Sequence, residues 1–164
     1  MAVFSKVQVK VADEVWVATA LLQRENPKRD SFAIEEIVER AAKEGLVRPQ
    51  RPGVYVHTVQ HCVANRPPNP GRYRMLFETS NGRRRLYRRG DPYHPAREGA
   101  KVTPSPEELP HRYRELIRWY ENWSERTARQ ASESDPLLSL AGSGRDLWRS
   151  EHADEYVKRL REGW

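Results

Sequence analysis

Residues 46–97 hold eleven arginines (48, 51, 66, 72, 74, 83, 84, 85, 88, 89 and 97) against two acids, Glu78 and Asp91. Eleven against two leaves a local excess of +9, and no lysine contributes to it. The guanidinium fork is planar and permanently charged, so it suits phosphate oxygens and base edges better than an ammonium point charge does. Two groups of side chains here have the types such contacts need. Tyr55, His57, Thr58, His61, Asn65 and Arg66, in "VYVHTVQHCVANR", all hydrogen-bond and lie off the valine face of one helical repeat. Arg72, Arg83, Arg84 and Arg85, in "GRYRMLFETSNGRRRLYRR", gather around an Asn81-Gly82 turn. Short polar groups on a rigid helix reach base edges, and cations at a hairpin tip reach phosphates. The alternative for the charge is a solvated basic face.

Three helices and a hairpin must position these groups. In "ADEVWVATALLQREN", Val15, Ala18, Leu21 and Leu22 repeat at helical spacing, Asp13 and Glu14 favour the first turn, and Asn26-Pro27 stops the helix. In "RDSFAIEEIVERAAKEG", Ser31 is a candidate N-cap, Ile34, Ile37, Val38 and Ala41 form the stripe, and Gly45 ends it. The third helix, "VYVHTVQHCVANR", places Val56, Val59 and Val63 on one face. "PPNPG" breaks it, and the strand-like runs "RYRMLFET" and "RRRLYRR" flank Asn81-Gly82, the strongest short hairpin signal. Three short helices and a hairpin follow the order of a winged helix-turn-helix, whose third helix enters the major groove. The expected class is α+β, mainly α, with this domain over 1–98. A linker and a long helix follow over 99–134. The helix carries the stripe Leu109, Tyr113, Leu116, Ile117, Tyr120 and Trp123. That stripe packs in cis or pairs two copies through 107–131.

The remaining composition narrows the classes. Of 164 residues, 37% are hydrophobic and 32% charged, which supports one modest domain with extensions. A single cysteine, Cys62, excludes an internal disulfide and fits a reducing setting. No apolar run is long enough to span a bilayer, so the expectation is a cytoplasmic protein without a membrane partner. His57 and His61 lie one turn apart beside Cys62, a spacing that can hold zinc, yet no fourth ligand is near. Groove-facing or satisfied side chains are the expected explanation. Glu35 with Glu36, and Glu107 with Glu108, point in different directions on their helices and make no acid/base pair. With no nucleophile elbow, glycine-rich phosphate loop or metal signature, neither an enzyme nor a cofactor is expected.

The C-terminal segment, 135–164, has a different character. Leu137, Leu138 and Leu140 precede a Gly-Ser-Gly joint, and Ser143 with Asp146 forms a capping box before Leu147 and Trp148. Ala153, Tyr156, Val157, Leu160 and Trp164 then make an amphipathic stripe opposite a charged face. Two short helices with little core of their own suit a segment that orders on a partner.

Two resemblances accompany these patterns. "HTVQHCVANRPPNPGRYRMLFETSNGRRRLYRRGDPYHPAR", continued by "LPHRYRELIRWYENW", resembles winged-helix domains of prokaryotes, some found beside nuclease or restriction-type modules. The likeness covers 13–123 and implies binding to double-stranded DNA. "LLSLAGSGRDLWRSEHADEYVKRLREGW" resembles the C-terminal tail of VapB-type antitoxins, the inhibitors of PIN-domain ribonuclease toxins. That resemblance implies toxin anchors at Leu137, Leu140, Leu147, Trp148, Tyr156, Val157, Leu160 and Trp164. It also implies a basic side chain that approaches the carboxylates of the toxin's magnesium site, with Arg145, Arg149, Lys158, Arg159 and Arg161 as candidates. A winged helix departs from the ribbon-helix-helix or AbrB domain usual in such antitoxins. Together the resemblances imply a type II antitoxin that inhibits a PIN-domain toxin and represses its own operon. The alternative is a DNA-binding regulator or nuclease-associated specificity module whose tail serves self-association or closes over its own core.

Overall fold

The computed structural model describes residues 8–133 together with Leu140, Lys158 and Arg161. The chain divides into two compact units, residues 1–126 and 127–164. The first unit is α+β, with helices around a three-stranded antiparallel sheet.

Helix α1 (Val11–Glu25) is its centre. Ala12 through Leu21 are all buried, the pattern of a helix covered on every side. Its polar groups are answered locally: Thr19 Oγ1 donates to the Val15 carbonyl at 2.8 Å, and Glu14 is held by Arg51 at 2.6 Å. Asn26 Nδ2 closes the last turn on the Leu22 carbonyl.

Strand β1 (Phe32–Ala33) precedes helix α2 (Ile34–Glu44). The helix starts later than a Ser31 cap would place it, because Phe32 and Ala33 pair with the sheet. Glu36 supplies the cap instead, accepting from the Ala33 amide at 2.8 Å. Gly45 ends the helix at φ +58°, the left-handed conformation in which a β-carbon is strained.

Helix α3 (Gly53–Val56) widens into a π turn over His57–His61 and stops there, short of the expected end at Arg66. The cause lies in the sheet. Strands β2 (Leu76–Ser80) and β3 (Arg83–Leu86) form the expected hairpin around Asn81-Gly82, with Gly82 at φ +73°. Residues 62–64 join its edge: Met75 and Leu76 donate to the Cys62 carbonyl, and Ala64 donates to Leu76. The strand order is β1-β3-β2, with Phe32 opposite Arg84 and Leu76 opposite Leu86.

Short 3-10 turns at Pro95–Arg97, Pro106–Glu108 and His111–Tyr113 lead to helix α4 (Glu115–Glu133). Residues 99–126, expected as a connector and a separate helix, belong to the first unit. Leu109, Tyr113, Leu116, Tyr120 and Trp123 sit in its core. Tyr120 meets Trp16 edge-on at 5.8 Å and donates to the Tyr87 carbonyl, while Tyr113 donates to Glu44 at 2.7 Å. Of the two uses open to this aromatic stripe, packing in cis is the one found. Among the described residues no helix is long and apolar enough to cross a membrane.

Carboxylates at the joints set an acid limit to stability. Hydrogen bonds from the Arg29 fork hold Glu36 down to about 2, and Lys10 and Lys101 do the same for Glu108. A carboxylate with a depressed folded pKa stabilises the fold above its unfolded value of 4.5 and loses that contribution as pH falls toward 2. Asp13, raised by burial, acts in the opposite sense. The urea midpoint is therefore expected to hold steady above about pH 5 and to fall between pH 4.5 and 2. Glu108→Gln is expected to remove part of that fall. Equal midpoints at about pH 3 and pH 6 would contradict it.

Candidate nucleic-acid interface

The third helix presents an outer face, though not the one that valine spacing indicates. Val54, Thr58 and Cys62, at i, i+4 and i+8, are buried, while Tyr55 is 54% and Val56 44% exposed. Thr58 is a correction to the candidate set. Its hydroxyl donates to the Val54 carbonyl at 2.8 Å, and with that group satisfied a threonine is buried as readily as a valine. His57 is half-buried, its Nδ1 2.9 Å from the Gly53 carbonyl oxygen, and burial pushes its pKa down. His61 meets His57 edge-on at 4.8 Å. It also lies hard against Gly71, where an added β-carbon would stand 2.8 Å from the His61 Cβ.

Asn65 is exposed, but both ends of its amide brace β2. Nδ2 donates to the Glu78 carbonyl at 3.0 Å, and Oδ1 accepts from the Glu78 amide at 2.9 Å. Arg66 grips the Glu78 carboxylate through two bonds of 2.7 and 2.8 Å. Both side chains are thus engaged with β2.

The hairpin arginines are a larger correction. Arg83 donates to the Ser31 hydroxyl and carbonyl, both at 2.8 Å. Arg84 is 1% exposed and reaches the Thr58 and Val59 carbonyls and Glu78. Arg85 is buried, forks onto Asp91 and lies 4.4 Å over the Phe77 ring. All three sit on β3, where their forks fasten the hairpin to Ser31 just ahead of β1, to the third helix and to the 88–91 turn. The exposed tip is Thr79, Ser80 and Asn81.

Most of the arginines behind the +9 excess are thus engaged within the fold. Arg51 is paired with Glu14, Arg74 lies 4.2 Å over the Tyr93 ring, and Arg88 lies 5.3 Å over Trp123. Arg97 is fully buried, and among the described residues no carboxylate pairs with it. Its Nε and two η nitrogens donate to six carbonyls, those of Gln60, His61, Arg66, Pro67, Gly71 and Tyr73, at 2.6–3.4 Å. That guanidinium ties the carbonyls at the end of the third helix to those of the loop behind it. Arg48 and Arg72 remain exposed, and Arg89 is 81% exposed, 3.9 Å from Glu125. Of the residues singled out in the sequence, Tyr55, His57, His61 and Arg72 keep groups exposed or half-buried around the third helix and the loop after it. Val56 and Arg48, not among those candidates, are exposed as well. Val56 resembled a core residue, and no pattern marks Arg48.

Cys62 is buried and its thiol is pushed up by burial. Among the described residues, no three His, Cys, Asp or Glu side chains gather as a metal site. The tail residues Leu137, Leu147, Trp148, Tyr156, Val157, Leu160 and Trp164 lie outside the described residues, as do Arg145, Arg149 and Arg159. Leu140, Lys158 and Arg161 are exposed. Compared with protein-family models, curated proteins and solved structures, the chain matches none.

Proposed function

We propose that residues 1–126 form a winged helix-turn-helix module that binds double-stranded DNA, and that the C-terminal tail binds and inhibits a PIN-domain ribonuclease toxin. The chain would then act as an antitoxin that represses its own promoter. The supporting observation is the order α1-β1-α2-α3-β2-β3 with strands β1-β3-β2 and an outward-facing third helix. In a winged helix that element lies in the major groove. Tyr55 and Val56 are its exposed groups; a phenol hydrogen-bonds a base edge, and a branched apolar side chain suits the thymine methyl. Arg48 and Arg72 are exposed at either end of the helix and its following loop, where they can reach phosphates. The toxin half rests on the sequence pattern of the tail.

Selection from a random duplex pool tests the DNA half. The wild type is expected to return a consensus, and Tyr55→Ala to lose about 1–3 kcal/mol of discrimination at one position of it. The thermal midpoint should hardly move, because an exposed side chain contributes within about 0.5 kcal/mol. An identical consensus and affinity for Tyr55→Ala would take the third helix out of the interface.

A further inference from the structure

We propose that Arg112, Arg114 and Arg118, with His111, form a second contact surface that holds the phosphate backbone of nucleic acid without regard to sequence. The His111–Tyr113 turn and the first turn of α4 enclose an open cavity of about 410 Å³, lined by these four residues and Glu115. All three arginines are exposed, and none forms an ion pair among the described residues. Glu115 is the one acid in the lining. It is held by Arg24 at 2.8 Å, which adds a further guanidinium to the rim.

The contrast with the rest of the first unit carries the inference. Most arginines of 46–97 are closed off by carboxylates, carbonyls or rings, whereas this group gathers three guanidiniums around a single carboxylate that Arg24 already holds. Crowded guanidiniums repel, and a bound anion relieves the repulsion. The base beneath them is firm. Tyr113 is buried and donates to Glu44 at 2.7 Å, and the Arg112 guanidinium lies 4.6 Å over its ring. Arg114 uses Nε on the Leu109 carbonyl at 3.3 Å, which orients the rest of its fork. Arg114 is the residue between the His111–Tyr113 turn and α4, and Arg118 stands four positions on, in the first turn of α4.

The lining favours a nucleic acid over an acidic protein. Every side chain in it is charged or an imidazole, and the cavity offers none of the aromatic or aliphatic pockets that anchor a protein interface. Guanidinium forks match phosphate in two-point geometry. The inference shares with the proposed function only the premise that the chain meets nucleic acid, and it does not need the third helix.

The test uses the full chain with Arg112, Arg114 and Arg118 all changed to Gln, alongside Arg118→Gln alone. The Arg118 side chain makes no hydrogen bond or ion pair to another described residue, so the single variant keeps the fold intact if the triple one does not. Affinity for a labelled duplex of arbitrary sequence is measured across a salt series. The triple variant is expected to bind about tenfold or more weakly near 0.1 M salt, with a log–log slope smaller by about 2–3. The single variant is expected to lose about 0.9 of slope. Unchanged affinity and slope in both variants overturn the inference, as does equal competition by polyglutamate of matched charge. A wild-type consensus together with unaltered slopes leaves the third-helix reading standing without this surface. Altered slopes with no wild-type consensus leave this surface standing without that reading.

Discussion

Arg97→Met is expected to lower the unfolding free energy by about 4 kcal/mol, a large part of the total for a unit of this size. The methionine keeps bulk in the site but brings no donor to the six carbonyls that the guanidinium now satisfies. Each buried acceptor left unpaired costs about 1–3 kcal/mol, and water recovers some of that where it can enter. Burial alone would penalise the cation, and it pushes the Arg97 pKa down. The carbonyl dipoles converge on it, including those at the end of the third helix, whose negative pole favours a positive charge. Arg97→Lys is expected to restore less than half of the loss, since one ammonium has three donors and no fork. Urea midpoints of the three proteins decide the matter. A loss below about 1 kcal/mol for Arg97→Met would mean that the carbonyls find other partners.

The second large effect concerns the tail. Truncation after Asp135 is expected to leave duplex binding by the first unit intact and to abolish neutralisation of the toxin. The reason is one of area: Trp148 and Trp164 are large apolar groups on segments too short to bury them internally. Full burial of an aromatic ring contributes about 2–3 kcal/mol, and tryptophan is enriched among interface hot spots. Trp148→Ala is accordingly expected to weaken the toxin complex by about 2 kcal/mol or more, roughly thirtyfold. Co-expression with a PIN-domain ribonuclease toxin, scored by growth and co-purification, is the assay. Rescue by the truncated chain, or its unfolding, would count against the antitoxin proposal. The second outcome would place the tail in this protein's own core.

What was legible in the sequence was periodicity and turn chemistry. α1, α2, the hairpin and the aromatic stripe of α4 are written in apolar spacing, in Gly45 and in Asn81-Gly82. The buried face of the third helix was harder to see. Thr58 and Cys62 bury as well as valine does once the hydroxyl is bonded within its own helix, so the apparent valine face is turned. Arginine destinations were not legible at all. A charge count registers Glu78 and Asp91 as the only acids nearby, yet carbonyls, aromatic rings and the distant Glu14 hold most of the excess. Arg112, Arg114 and Arg118 escaped the same count because residues 101–164 balance to −1 overall, with 11 basic residues against 12 acids. Net charge over a segment says little about which side chains reach solvent.

The pairing of Trp16 with Tyr120 also bears on how the chain is made. Their separation of 104 residues means that α1 leaves the ribosome long before its covering helix exists. At about 5–20 residues per second, the interval is roughly 5–20 seconds. During it the most apolar helix of the first unit has lost the shelter of the exit tunnel and has not gained that of α4. A binder of exposed apolar segments has its best chance at this chain then, and synonymous codons that slow translation between the two positions would lengthen the exposure.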